Sequence, residues 1–328
     1  MEMSSSANTS RKILVVSSDL PSHPYACVKL AKVLAKGGHN VTLVSPEGDA
    51  YQRISTEMNI WSASGDRTTR GTVTITTIGR VSTKTHANVR PVIDPQAWSA
   101  LLNGIRQPFP LAQKIETMFD EQQDLYQNIL DIVSDYDLVY CIHSMAATVC
   151  DAVEASGTNV PCIIFSSLPY DTTLCLAGGK DGRAWRMARS LVTIPHVATY
   201  TVPKISSLDL HNIFAILSQL FWMALDTILV NRAFRGAAKR TNARRVKRGL
   251  RPVDSGFRYY MQTYPVLTFG GTEPFMSKGE VIPDNVTAIG SLDVARAVVD
   301  REVAIAITMI TCRSTCTGRS LRRDRIAQ

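Results

Sequence analysis

KILVVSSDLPSHPYACVKLAKVLAKGGHNVTLVSP, residues Lys12 to Pro46, decides the fold. Lys12–Ser17 is a short apolar run rich in β-branched residues, the composition of a strand buried on both faces of a parallel sheet. A loop follows over 18–22, and His23 sits where a helix would begin. Val28, Leu30, Ala31, Val33 and Leu34 give that helix a broad apolar face. Gly37 and Gly38 end it, because glycine enters the left-handed C-cap conformation without strain. Asn40–Val44 reads as the second strand. The unit is β-α-β, and the expected class is α/β.

A right-handed crossover closes such a unit, so the loop after the first strand lies at the carboxyl end of a parallel sheet. Open α/β sheets bind ligands at that edge, and a histidine there can meet a substrate. The loop holds no G-x-G-x-x-G, so a dinucleotide pyrophosphate finds no glycine cradle in this unit. From spacing alone His23 equally fits a helix-cap or solvated loop histidine.

The same alternation continues downstream. Glu47–Arg70 is polar and interrupted by glycines, and no element is assigned to it. Val73–Ile78 reads as a third strand. Leu111, Ile115, Met118, Leu125, Ile129 and Ile132 recur at helical spacing and predict one long amphipathic helix. Asp137–Ile142 is a strand, Met145–Ala155 a helix stopped at Gly157, and Pro161–Phe165 a strand ending in Ser166-Ser167. Those two serines either line a pocket at the strand's carboxyl end or cap the following turn. Tyr264–Phe269 is a further strand. His39, His86, His196 and His211 are isolated, without ligand spacing.

Ser22-His23, the apolar helix behind them and Gly38-His39-Asn40-Val41-Thr42 together resemble the N-terminal half of UDP-dependent glycosyltransferases of the GT-B fold. The block from Asp137 to Phe165 resembles the same family, as do Glu273-Pro274, Pro283-Asp284-Asn285-Val286 and Ile289-Gly290. The resemblance covers roughly residues 12–293. It implies a Rossmann-like, mostly parallel sheet flanked by helices, with His23 as general base. The histidine would take the proton from an acceptor hydroxyl in an inverting sugar transfer, a role worth ~10²–10⁴ in rate. It also implies that Ser22, His143, Ser166 and Ser167 contact a small lipophilic acceptor, and that His39 only packs. The family's strand ends in a second aspartate that orients the histidine. Ile142 holds the matching position here, with His143 and Asp19 the nearby candidates. Without that carboxylate the imidazole can hold the wrong tautomer.

The family's second domain binds the UDP-sugar. Residues 294–328 carry no glycine-rich phosphate loop; an apolar run gives way to an arginine-rich tail. The expected organisation is a disordered polar tail over 1–11, an acceptor-binding domain over 12–293, and an irregular basic end over 294–328. No cofactor is expected on these residues, and the UDP-sugar donor is expected only with a C-terminal domain. The chain alone is expected to be inactive.

Composition narrows the remaining classes. The chain has 328 residues with 45% hydrophobic content and a mean hydropathy of +0.00, values of a globular protein. The seven cysteines lack the paired spacing of a zinc site. Those in apolar runs, Cys141 and Cys162, read as reduced buried thiols. Met1–Arg11 lacks the apolar core of a signal peptide, so a cytoplasmic placement is expected. Ile213–Val230 is the most apolar window, but it is short for a span of about 20 residues and contains Asp226. Net charge is +8, and arginines and lysines from Arg232 to Arg251 run unbroken by any acid. A solvated helix face is the simplest reading of that run, with Phe234, Val246 and Leu250 tethering it to the core. The alternative is a non-catalytic module that binds an anionic membrane surface or a partner through the apolar and basic helices of 213–251. Phe234 apart, no stacking aromatic interleaves the run and no binding motif accompanies it, so nucleic acid is not expected as a partner.

Overall fold

Ile13, Leu14, Val15 and Val16 are at most 1% exposed in the computed structural model, as an unbroken apolar run in a central strand requires. The structure describes residues 10–20, 23–63, 70–81, 122–167, 173, 177, 238–253, 257–268 and 284–289. The chain divides into two compact units. The first takes Met1–Arg80, Leu125–Ser167 and Ile289–Gln328, and the second Val81–Asp124 and Leu168–Ala288.

The first unit holds five parallel strands: β1 (Lys12–Val16), β2 (Asn40–Ser45), β3 (Thr72–Thr77), β4 (Leu138–Ile142) and β5 (Cys162–Ser166). They lie in the order β3-β2-β1-β4-β5, with Leu14 facing Thr42 on one side and Val139 on the other. Succession runs outward in both directions from β1 and β4, which makes the carboxyl edge between these two strands the switch point of the sheet. The fold class is the α/β, Rossmann-like one expected.

Helices α1 (His23–Lys36), α2 (Asp49–Ala63), α3 (Tyr126–Val133) and α4 (Ala146–Ala155) connect these strands. α1 packs on α2, and α3 on α4. α1 ends as its glycines predict. Gly37 and Gly38 donate to the carbonyls of Val33 and Ala35, and Gly38 takes φ +95°. Gly71 is required for a different reason: a Cβ there would overlap the backbone of His39. His39 keeps the packing role expected of it, half-buried, with its carbonyl accepting from Thr72 N–H at 3.2 Å.

Two elements differ from the sequence reading. The polar stretch after β2 contains α2, whose only buried residues are Ala50, Ile54 and Met58. Three apolar residues at four-residue spacing suffice for a narrow seam against α1, too narrow to stand out among polar neighbours. The long amphipathic helix is, among the described residues, a 3-10 turn over Gln122–Leu125 followed by α3. Its part before residue 122 lies outside the described residues.

In the second unit, residues 238–247 form helix α5 and Phe257–Thr263 helix α6. β6 (Val266–Thr268) and β7 (Val286–Ala288) pair in parallel. Asn285 of the Pro283–Val286 motif has a structural job. Its Nδ2 donates to the carbonyls of Met261 and Tyr264 at 2.7 and 3.0 Å, fastening the end of α6 to the start of β7.

The basic run is not wholly a solvated face. Arg245 is fully buried; its Nε donates to the Arg251 carbonyl at 2.7 Å and its guanidinium lies over the Tyr259 ring. Arg248 donates to Gln123 Oε1 at 2.9 Å. Lys239, Lys247 and Arg251 are exposed, as a solvated face predicts. Val246 is 59% exposed and tethers nothing. Among the described residues no helix is long and apolar enough to cross a membrane. Ile213–Val230, Phe234 and the start of the basic run lie outside the described residues.

Candidate functional site

β1 ends in two hydroxyls. Ser17 extends the ladder, its N–H donating to the Val44 carbonyl at 2.9 Å. Ser18 follows, and the chain turns through Leu20, whose carbonyl accepts from the His23 N–H at 3.0 Å. His23 is therefore the first residue of α1 at the carboxyl edge of the sheet, where the βαβ reading puts it. It is not a solvated histidine: the residue is 6% exposed.

The ring's Nδ1 lies 2.6 Å from Ser18 Oγ and 3.0 Å from Ser144 Oγ. Ser144 belongs to the short 3-10 turn His143–Met145 that follows β4. β1 and β4 are neighbours in the sheet, so their two carboxyl-end loops meet over His23. His143 packs its ring edge-on against His23, with centroids 4.8 Å apart. The Ser167 N–H points to His143 Nδ1 at 3.4 Å, so that nitrogen accepts and the His143 proton sits on Nε2.

Burial sets the electrostatics. Desolvation pulls His23 down from 6.5 to about 4. His143 is pulled well below its ordinary value, by burial first and then by the adjacent His23. Both rings are neutral at pH 7.

Ile142 is fully buried within the sheet, opposite Phe165. Asp137, the aspartate that leads the strand, is structural: its carboxylate accepts the Lys12 backbone N–H at 2.8 Å. Nδ1 of His23 is thus met by two serine hydroxyls where the family resemblance would put a carboxylate. A carboxylate only accepts, which forces the proton onto Nδ1 and leaves Nε2 free as a base. A hydroxyl both donates and accepts. The pair holds the plane of the ring without choosing its tautomer, and it brings no negative charge to steady an imidazolium.

Of the residues singled out by sequence, His23, His143 and Ser167 are joined in one chain of contacts. Ser166 is fully buried at the end of β5, and Ser167 is partly exposed beside it. Ser22 lies outside the described residues. Ser18 and Ser144 were not singled out. The signals for them were a strand that ends in Ser17-Ser18 and the His-Ser pair directly after β4. A cavity of about 250 Å³ lined by Lys12, Asn40, Thr72 and Asp135 opens at the amino ends of the strands, the edge away from His23.

No family model and no curated protein matches the sequence. Solved structures similar to this chain include the calicheamicin glycosyltransferase CalG4, at 14% identity and a TM-score of 0.44, covering 86% of this chain and 53% of that one. The glycosyltransferase VinC in complex with DTDP is 17% identical, with a TM-score of 0.33 and 79% and 48% of the two chains covered. Arabidopsis thaliana UGT89C1 complexed with quercetin is 14% identical, with a TM-score of 0.32 and 53% and 39% covered. The chain spans about half the length of these structures or less. They are of the class that the sequence resembles, glycosyltransferases.

Proposed function

We propose that this chain is the acceptor-binding half of an inverting UDP-sugar glycosyltransferase, with His23 facing the hydroxyl of a small lipophilic acceptor, and that it is inactive alone. The observation that carries the reading is His23 at the carboxyl edge between β1 and β4, its Nδ1 fixed by Ser18 and Ser144. Ser22, His143, Ser166 and Ser167 are the residues proposed to line the acceptor side.

Two arguments support inactivity. The sequence carries no phosphate-cradling loop for a nucleotide sugar. The base is also weak, since a group that titrates near 4 takes a proton from an alcohol poorly at neutral pH. In a Ser-His-Asp arrangement loss of the carboxylate costs about 10⁴ in kcat, and a similar handicap is expected here.

Calorimetric titration tests the reading. A flavonol such as quercetin should bind, more weakly to His23→Ala, and UDP should give no heat at millimolar concentration. Binding of UDP with no binding of the polyphenol would reverse the assignment. Sugar transfer from UDP-glucose that disappears in His23→Ala would overturn the inactivity.

A further inference from the structure

Cys141, Cys150 and Cys162 come from β4, α4 and β5, and the site described above uses none of them. Val139 faces Cys162 in the parallel register, and Cys141 faces Ile164. Cys141 and Cys162 therefore share the same face of the sheet, since side chains alternate along a strand. α4 brings Cys150 against them. The sulfurs of Cys150 and Cys162 are 3.6 Å apart, those of Cys141 and Cys162 4.0 Å, and all three lie within 4.8 Å of one another. None of the three is in a disulfide.

We propose that these three cysteines form a binding site for a soft trivalent ion, of which arsenite is the type. Three sulfurs each about 2.3 Å from a pyramidal centre, at angles of roughly 90–105°, stand about 3.3–3.7 Å apart. The Cys150–Cys162 separation of 3.6 Å falls in that range, and Cys141, at 4.0 Å from Cys162, has a short distance to close. Soft thiolate donors select thiophilic centres. Charge selects among those centres. Cys141 and Cys150 are fully buried and Cys162 is 5% exposed, so a net charge left in the site is costly. A trivalent centre with three thiolates is neutral, whereas a monovalent ion such as Cu(I) leaves two negative charges. The exchange balances without an oxidant. Three thiols and As(OH)3 give As(SR)3 and three waters; three As–O bonds break, three As–S bonds form, and each thiol proton leaves on a hydroxide.

Cys27, the other buried thiol among the described residues, hydrogen-bonds Ser17 instead.

The test uses the full chain with Cys175, Cys312 and Cys316 replaced by serine, which leaves Cys27 as the one thiol outside the cluster. One arsenic should be retained per native chain after gel filtration, and X-ray absorption should find three sulfur neighbours and no oxygen. Cys150→Ala and Cys162→Ala should each lower retention at least tenfold, while Cys27→Ala should not. No retained arsenic, or fewer than three sulfurs around it in the chain with its core cysteines intact, would overturn the site. Retention of Cu(I) more tightly than arsenite would overturn the trivalent assignment.

Discussion

His23 has two properties that pull against each other. It is placed where a substrate-facing base belongs, and it is buried deeply enough that its charged form is disfavoured. Ser18 and Ser144 steady the ring but bring no charge. The consequence for stability has a definite sign. The folded value lies below the unfolded 6.5, so the unfolded chain binds more protons between about 4 and 6.5, and stability is lost as pH falls through that window. For His23 the loss is about 3 kcal/mol over the window. Denaturant midpoints from pH 7 to 4 should therefore fall less steeply in His23→Gln than in the natural chain; equal slopes would show that the ring is not desolvated. Ser144→Asp places a carboxylate at Nδ1. It should raise the His23 titration by at least about one unit in an NMR pH titration, and an unmoved titration would mean that Ser144 does not face the ring.

At the scale of elements, two close contacts have consequences for stability. The start of β3 passes so near the end of α1 that Gly71 is in contact with the His39 backbone. Gly71→Ala should cost about 2 kcal/mol or more in chemical unfolding, as overpacked sites do. An effect near zero would mean that the two segments separate freely. Arg245 links α5 to the Arg251 carbonyl and the Tyr259 ring while fully buried. Arg245→Ala should cost about 2–4 kcal/mol by leaving that carbonyl unmet and the space unfilled, and Lys247→Ala, on the exposed side, should cost almost nothing.

The elements also show what the sequence made legible. α1 and its glycine stop were readable because the apolar face is broad and the stop chemistry is local. α2 was not, because Ala50, Ile54 and Met58 form only a thin seam whose meaning depends on α1 lying beneath it. The basic run was half readable: charge patterning marks a helix with a solvated face, but not which arginine turns inward, since that depends on Tyr259 in another element. The site divides the same way. His23 stood out by its place after β1. Ser144 did not, because it lies 121 residues from His23 and meets it only once β1 and β4 are neighbours.

Across the whole molecule, the order β3-β2-β1-β4-β5 puts the loops after β1 and β4 at one switch point, and the proposed chemistry depends on that adjacency. A ligand that reaches His23 would meet a neutral, hydroxyl-held imidazole. The most direct measurement is long-range ¹H–¹⁵N NMR of the His23 ring at pH 7, with quercetin added in steps and UDP in a parallel series. The expected result is a neutral ring whose Nε2 resonance moves saturably with the polyphenol and stays fixed with UDP. A ring that is charged at pH 7, or an Nε2 that never moves while the polyphenol binds elsewhere, would contradict the account.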